Sequence, residues 1–373
     1  MRVLLETDAV GGVWTFSLAL AQALAREGVE AELALVGPDD AGRRGEAEAA
    51  GVRVHRLGGP LEWQPGVAGT EALLRQGEDL RSLAAERDAS VLHTCTHAHA
   101  GRLAGADGLA VVHTGHSDVL TWWRAVHGTR PDARYDAYAA GLRRAVERAE
   151  AFVVPSRAYG RALGAATGEA RPFRIIPNGV ADPGPPAIRS GEPVALAAAR
   201  FDDPLKNLAV LGRAGERLGP RLRIAGSGTG GPGAGGALGG AALLGNLGRA
   251  AMDRELGSAA VFAGPCRFEP FGLAVLEAAA AGCALVLADQ PTHRELWDGV
   301  AAFVAGDDAE GWAEALASAL RDPAATAAAG RAARERSAGY RVAGTARAYA
   351  SLYREVLERR TGGSEIEARR RSA

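Results

Sequence analysis

The feature that most constrains this chain is a rhythm that runs through it twice. Short Val/Leu/Ala-rich runs alternate with longer stretches whose apolar residues recur at helical spacing. In the first pass, Arg2–Leu5, Glu30–Val36, Arg53–Leu57, Val91–Thr94, Ala110–Thr114, Ala151–Val154 and Phe173–Ile176 read as strands. Trp14–Glu27, Thr70–Arg87, Tyr135–Glu150 and Ser156–Leu163 read as the helices between some of them. Runs that are apolar throughout, without alternation, suit strands covered on both faces, so the rhythm predicts a parallel sheet flanked by helices.

Pro177-Asn-Gly-Val180 opens a Pro-, Gly- and Asp-rich segment to Pro193 without periodicity, which reads as an interdomain linker. The alternation then resumes, with strands at Val194–Ala199, Leu222–Ala225, Ala259–Ala263 and Ala284–Ala288 and helices at Asn207–Leu218 and Phe271–Ala281. Beyond Gly311 the pattern is helical over Trp312–Leu320, Ala324–Arg336 and Ala343–Arg359. The expected fold class is α/β: two Rossmann-like domains facing across a cleft, over residues 1–177 and 194–342, with a linker over 178–193. A C-terminal helix over 343–360 is expected to pack back on the first domain, and a disordered tail is expected over 361–373. At 373 residues, two domains leave each half room for its own core.

Composition narrows the function. A net charge of -1 and a pI near 6.7 argue against a chain devoted to wrapping nucleic acid or coating anionic membranes, with local basic sites and peripheral membrane contact left open. No apolar run approaches the length of a membrane span, and Met1-Arg-Val-Leu-Leu5 reads as a buried strand and not a signal peptide, so a cytoplasmic protein is expected. Cys95, Cys266 and Cys283 are too widely spaced for a disulfide framework. His93, Cys95, His97 and His99 would share one face of a strand, yet no compact tetrahedral set recurs, and no metal site is assigned.

The chemistry concentrates in Phe268-Glu-Pro-Phe-Gly-Leu-Ala-Val-Leu-Glu277. Glu269 falls in the loop before a helix that opens near Gly272, and Glu277 falls in its first two turns. The backbone N–H groups of Phe271, Gly272, Leu273 and Ala274 would then face an anion, and a carboxylate is a good acceptor for vicinal hydroxyls. Taken alone, the two glutamates could simply favour the start of the helix. Arg200 and Lys206 fall at the carboxyl end of the sheet, where ligands bind in such folds. Of the 43 basic residues, 42 are arginine and Lys206 is the one lysine, so a role that arginine fills poorly is expected there. Gly226, straight after a strand, sits where a ligand can approach the backbone.

This stretch resembles the E-x7-E signature of the family 4 retaining glycosyltransferases of the GT-B fold, in the branch where Pro-Phe-Gly-Leu follows the first glutamate. Further matches occur in order: Asp8-Ala-Val-Gly-Gly-Val-Trp14, His113-Thr-Gly-His116, Val154-Pro-Ser156, Ile176-Pro-Asn-Gly-Val180, Arg200 with Lys206-Asn207, and Leu296-Trp297. The resemblance implies a metal-independent transfer from a nucleotide sugar, UDP- or GDP-linked, to a small-molecule, lipid-linked or glycan acceptor, with no cofactor beyond that co-substrate. It implies that Glu277 holds the ribose hydroxyls, that Glu269 binds the donor sugar, and that Arg200 and Lys206 hold the diphosphate. Gly11 and Gly12 correspond to the glycine turn beside donor and acceptor, and His116 to the histidine near the transferred sugar. Trp14 and His97 are candidates for the acceptor side. The mechanism implied is a front-face departure in which the leaving diphosphate takes the proton of the attacking hydroxyl. Alternatives are a GT-B sugar-nucleotide 2-epimerase, a glycosyl phosphorylase, or a two-lobed sugar-binding protein without catalysis.

Overall fold

The structure is a computed structural model that describes residues 1–105, 109–169, 171–182, 184, 189, 191–226 and 238–371, with side chains as far as Arg360. The chain divides into two compact units, Met1–Gly179 with Val342–Ala373, and Val180–Arg341. The boundary falls between Gly179 and Val180, within the segment read as a linker. Val180 donates its N–H to the Tyr340 carbonyl at 3.1 Å and forms a parallel bridge with Arg341, so the two passages of the chain run side by side.

The first unit holds strands β1 (Arg2–Asp8), β2 (Glu30–Val36), β3 (Val54–Gly58), β4 (Val91–Thr94), β5 (Ala110–Thr114), β6 (Ala151–Val154) and β7 (Arg174–Ile175). They form one sheet in the order β3-β2-β1-β4-β5-β6-β7, and every pairing is parallel. Helices follow the strands, several started by a side chain that accepts a first-turn N–H: Asp40 from Arg43, Thr70 from Leu73, Asp118 from Thr121 and Ser156 from Tyr159. The last helix, Val342–Arg371, packs on helix Gly12–Leu24 and on β5. Its backbone stays helical through the stretch expected to be a disordered tail, as far as Arg371.

The second unit holds β8 (Ala195–Ala198), β9 (Leu222–Ala225), β10 (Ala242–Gly245), β11 (Val261–Gly264), β12 (Ala284–Ala288) and β13 (Ala301–Val304). Their order is β10-β9-β8-β11-β12-β13, again wholly parallel. Alternate residues enter two separate cores: Leu196, Phe262, Leu285 and Leu287 on one face, and Ala195, Ala197, Val261, Ala263 and Val286 on the other. Both faces are therefore dry, which is why these strands read as unbroken apolar runs. β10 and β13 escaped the sequence reading because each is a four-residue strand at an edge, with partly exposed residues and a run too short to stand out in an alanine-rich chain. Helix Ala41–Ala49 escaped as well, since Ala47 is its one buried residue and the apolar stripe is too thin to show a period. No helix among the described residues is long and apolar enough to cross a membrane.

Two helix glycines test the packing. In helix Pro323–Ser337 a Cβ at Gly330 would lie 2.2 Å from the Gly282 carbonyl oxygen, whereas one at Gly45 in helix Ala41–Ala49 would meet nothing within 4 Å. Gly45→Ala should raise stability by about 0.5–1 kcal/mol through helix propensity. Gly330→Ala has the same propensity gain, but the overlap should lower stability by about 1–3 kcal/mol. Urea unfolding of the two variants should move in opposite directions from the parent.

Candidate functional site

Because β8, β11 and β12 are hydrogen-bonded neighbours, the loops leaving their carboxyl ends converge on one edge of the second sheet. After β8 the chain turns through Pro204–Lys206, a short 3-10 helix whose Leu205 N–H is accepted by Asp203 Oδ1 at 3.0 Å. Asn207 follows in the left-handed conformation at φ 53°, its buried amide donating to the carbonyls of Gly306 at 2.7 Å and Pro265 at 3.3 Å. Asn tolerates this backbone better than most residues. The break it makes delays the regular helix to Gly212–Leu218, whereas the sequence pattern predicts a start at Asn207.

This turn presents Lys206 to the loop after β11. Lys206 Nζ donates to Glu269 Oε2 at 2.6 Å, and Arg200 Nη2 donates to Asp203 Oδ2 at 2.8 Å. Asp203 is nearly enclosed. Burial works against its charge, but the hydrogen bond from Arg200 and the field of Lys206 outweigh it and hold the carboxyl below the ordinary range. Burial likewise opposes the Lys206 ammonium, and Glu269 more than compensates, so the lysine stays charged well above neutral pH. Arg200, Lys206 and Glu269 are thus brought together, with Asp203 joining the two cations.

The same loop ends in Gly272, which caps helix Leu273–Ala280 at φ 89°, a conformation that favours glycine. The first bond within the helix runs from Leu276 N–H to the Gly272 carbonyl at 3.0 Å, so the N–H groups of Gly272, Leu273 and Ala274 precede the ladder and face out of it. Phe271 is buried with its ring against Tyr340, which anchors the turn and leaves it backbone alone to offer. Glu277 accepts from Arg249 Nη1 at 2.6 Å, a partner from helix Arg249–Ser258. At Gly226 a Cβ would sit 1.9 Å from the Ala199 carbonyl oxygen, so close backbone packing already explains that glycine.

In the first unit, Gly11 caps helix Gly12–Leu24 at φ 62° and ψ -136° and, being glycine, offers its first-turn N–H groups no side-chain cap. His116, just beyond β5, lies edge-on to Phe16 of that helix at 4.5 Å between ring centroids. The glycine turn follows β1 and His116 follows β5, so both lie at the carboxyl end of this sheet, and His116 packs on the helix that the turn starts. Burial lowers the His116 pKa to about 4, so its imidazole is neutral at pH 7.

Two acceptor candidates are corrected by the structure. Trp14 is fully buried, with Nε1–H donated to Glu46 Oε2 at 2.9 Å, and presents no face to a ligand. His97 is buried among the rings of His113, Tyr138 and Phe152, with Nδ1 2.8 Å from His113 Nε2. Nor do the histidines share a strand face: β4 ends at Thr94, and His97 and His99 belong to helix His97–Leu103. That helix starts against two buried carboxylates. Glu6 accepts the N–H groups of Cys95 and Thr96 and contacts His99 Nδ1 at 2.6 Å; Glu62 accepts those of His97 and Ala98.

Sequence reasoning missed Asp203, Arg249 and His293. Arg249 is one of 42 arginines, and nothing local marks it as the partner of a glutamate 28 positions on. His293 is fully buried after β12, with Nδ1 2.9 Å from the Ala288 carbonyl and, among the described residues, no partner for Nε2. Burial lowers its pKa, and Glu269 and Lys206 both act on its ring, which sets it beside the same edge. A lone histidine in a Pro-Thr-His turn carries no sequence signal for that position.

With this geometry in hand, comparison with known proteins is specific. Residues 10–182 match the family model described as Glycosyltransferase Family 4, and residues 192–322 match that of Glycosyl transferases group 1. No curated protein matches the chain. Among solved structures, a sucrose-phosphate synthase from Thermosynechococcus elongatus is similar with a TM-score of 0.77 at 20% identity, covering 96% of this chain and 99% of that one. HepE of Anabaena, solved in complex with UDP and glucose, gives 0.74 at 15% identity, with 95% and 100% covered. A glycosyltransferase from Rickettsia africae gives 0.70 at 15% identity, with 95% and 98% covered. The chain thus has two parallel-sheet α/β domains of the kind found in GT-B glycosyltransferases.

The buried imidazoles generate a prediction. Burial lowers His93 to about 3 and His97 and His116 to about 4, and also lowers His113, whereas it raises Glu62 to about 7. On acidification below pH 6.5 the unfolded chain takes up protons at five histidines, these four and His293, that the folded chain refuses until the pH is lower. Glu62 works the other way, keeping a proton when folded that the unfolded carboxyl loses near 4.5. The histidines outnumber it, so stability should fall on acidification from pH 7 to 5, by about 1.4 kcal/mol per pH unit for each net proton. Urea midpoints across that range check this, and a flat or rising midpoint would contradict it.

Proposed function

We propose that the chain is a glycosyltransferase of the hexosyltransferase type, moving a sugar from a nucleoside-diphosphate sugar to an acceptor hydroxyl, with retention and without a divalent metal. The observation that carries this reading is the 2.6 Å contact of Lys206 with Glu269 beside the Arg200–Asp203 pair, next to the free N–H groups of Gly272 to Ala274. Glu269 binds hydroxyls of the donor sugar, and the ammonium beside it reaches the diphosphate. Glu277, steadied by Arg249, takes the ribose hydroxyls. In the first unit, Gly11, Gly12 and the neutral His116 are the residues that the family resemblance assigns to the substrates. HepE is bound to UDP in one solved structure and to UDP-glucose in another, which supports a UDP-sugar as the donor.

In the reaction, the bond from the anomeric carbon to the diphosphate oxygen breaks, and the electron pair leaves with the diphosphate. The acceptor oxygen bonds to the same face, and its proton passes to the departing phosphate oxygen. Negative charge grows on the diphosphate as this happens. Arg200, Lys206 and the Gly272–Ala274 N–H groups are fixed in advance where they can stabilise it, so the chemistry needs no metal to neutralise the leaving group.

Lys206→Arg tests the site. An ammonium places a compact charge between Glu269 and phosphate, whereas a planar guanidinium is bulkier and spreads its charge. The variant should fold normally and lose at least tenfold in kcat, corresponding to about 1.4 kcal/mol of transition-state stabilisation. Parent-like turnover would remove Lys206 from the mechanism. With the parent enzyme, EDTA dialysis should leave turnover intact and proton NMR should show the product with the donor's anomeric configuration. Loss of activity restored by Mn2+, or an inverted product, would overturn the metal-independent and retaining parts of the reading respectively.

A further inference from the structure

Outside the candidate site, a hollow with a cavity volume of about 580 Å³ opens among the helices of the first unit. Its origin is a difference in helix length. Helix His97–Leu103 has seven residues and lies against Glu71–Glu86, with sixteen, and Asp136–Arg148, with thirteen. The short helix is drawn close to Asp136–Arg148 at Gly101, where a Cβ would meet the Gly141 carbonyl oxygen at 3.0 Å. The two longer helices overhang it and wall a trough.

The trough has a mixed lining. Leu73, Leu74 and Leu103 contribute an apolar part, and Leu74 is 39% exposed, one of few large apolar side chains so open to solvent. Four arginines line it as well, Arg81, Arg102, Arg144 and Arg148, against the single carboxylate Glu78. Arg81 and Arg102 both bond to Glu78. Arg144 has no ion-pair partner among the described residues, and Arg148 donates only a long 3.4 Å bond to the Gly101 carbonyl. Arg144 and Arg148 stand one turn apart on a helix, where like charges repel, and nothing described in the fold compensates them. His99, at the base of the trough, holds its charge through Glu6 and adds no negative group.

We propose that this trough is a binding site for a phosphate-type oxyanion, separate from the candidate site of the second unit and independent of the reading of that site. The guanidinium groups of Arg144 and Arg148 hold the phosphate, since their planar forks match its oxygens. Arg81 and Arg102 complete the positive field, and the leucines accept an apolar body where the ligand carries one.

Isothermal titration of the full-length protein tests this with two probes, inorganic pyrophosphate and water-soluble dioctanoyl phosphatidic acid. The comparison is between the parent and Arg144→Ala/Arg148→Ala, both exposed positions whose loss should leave the unfolding midpoint unchanged. Any binding of either probe elsewhere is common to both proteins and cancels. At least tenfold weaker binding of one or both probes to the variant supports the site. Weakening confined to phosphatidic acid assigns the phosphate to an amphiphile, and equal weakening for both probes assigns it to a free phosphate. Glu78→Gln should tighten the affected probe by about threefold by removing the one opposing charge. Affinities for both probes that are identical in parent and double variant, or no binding at all, would overturn the proposal.

Discussion

Parallel pairing of β8, β11 and β12 is the constraint on which the candidate site depends. Strands that all run the same way end on the same edge, and each crossover returns the chain to the opposite edge before the next strand begins. The loops after these three strands therefore meet although they are far apart in sequence, and Lys206 comes to bond Glu269 across 63 positions. The two dry faces of the sheet hold the edge rigid. Leu196, Phe262 and Leu285 lock one side, and Ala197, Val261 and Val286 the other, so the groups at the strand ends are set before any ligand arrives.

The first unit solves a different problem, that of charge inside a packed domain. Glu6 and His99 are almost completely enclosed and 2.6 Å apart. Burial alone would neutralise both; the His99 imidazolium keeps the Glu6 carboxylate ionised and Glu6 keeps His99 protonated. Backbone N–H groups of Cys95 and Thr96 and the Leu73 carbonyl take the remaining hydrogen bonds, so the pair is satisfied on every side. Glu62 has two N–H donors but no such cation bonded to it, and burial pushes it up to about 7. The two carboxylates sit at one helix start with opposite pKa shifts because only one of them has a hydrogen-bonded imidazolium.

Much of the site was legible because its residues lie in short local motifs. Glu269, Gly272 and Glu277 are spaced by a turn and a helix, and a lone lysine among arginines stands out by composition. Trp14 and His97 were misread for the converse reason: an aromatic or imidazole ring beside a glycine turn or a strand end looks the same in sequence whether it faces solvent or the core. What separates the two cases is the packing of distant chain, here Glu46 against Trp14 and Phe152 with Tyr138 around His97. Arg249 and His293 left no mark, since an arginine in an arginine-rich chain and a single histidine carry no local pattern.

The amino-acid sequence by itself determined the two-fold repeat of strand and helix, the parallel character of both sheets and the glutamate-bearing turn before helix Leu273–Ala280, because periodicity and turn chemistry act over a few neighbouring residues. Only the tertiary structure decided which charges pair. The choice of Glu269 for Lys206, Asp203 for Arg200 and Arg249 for Glu277 follows from strand order, loop geometry and the turn at Asn207. The same holds for the arginine-lined trough, whose walls come from three helices of unequal length. Electrostatic partners are chosen by distance in space, and in a parallel sheet that distance is set by crossovers that no local pattern of residues records.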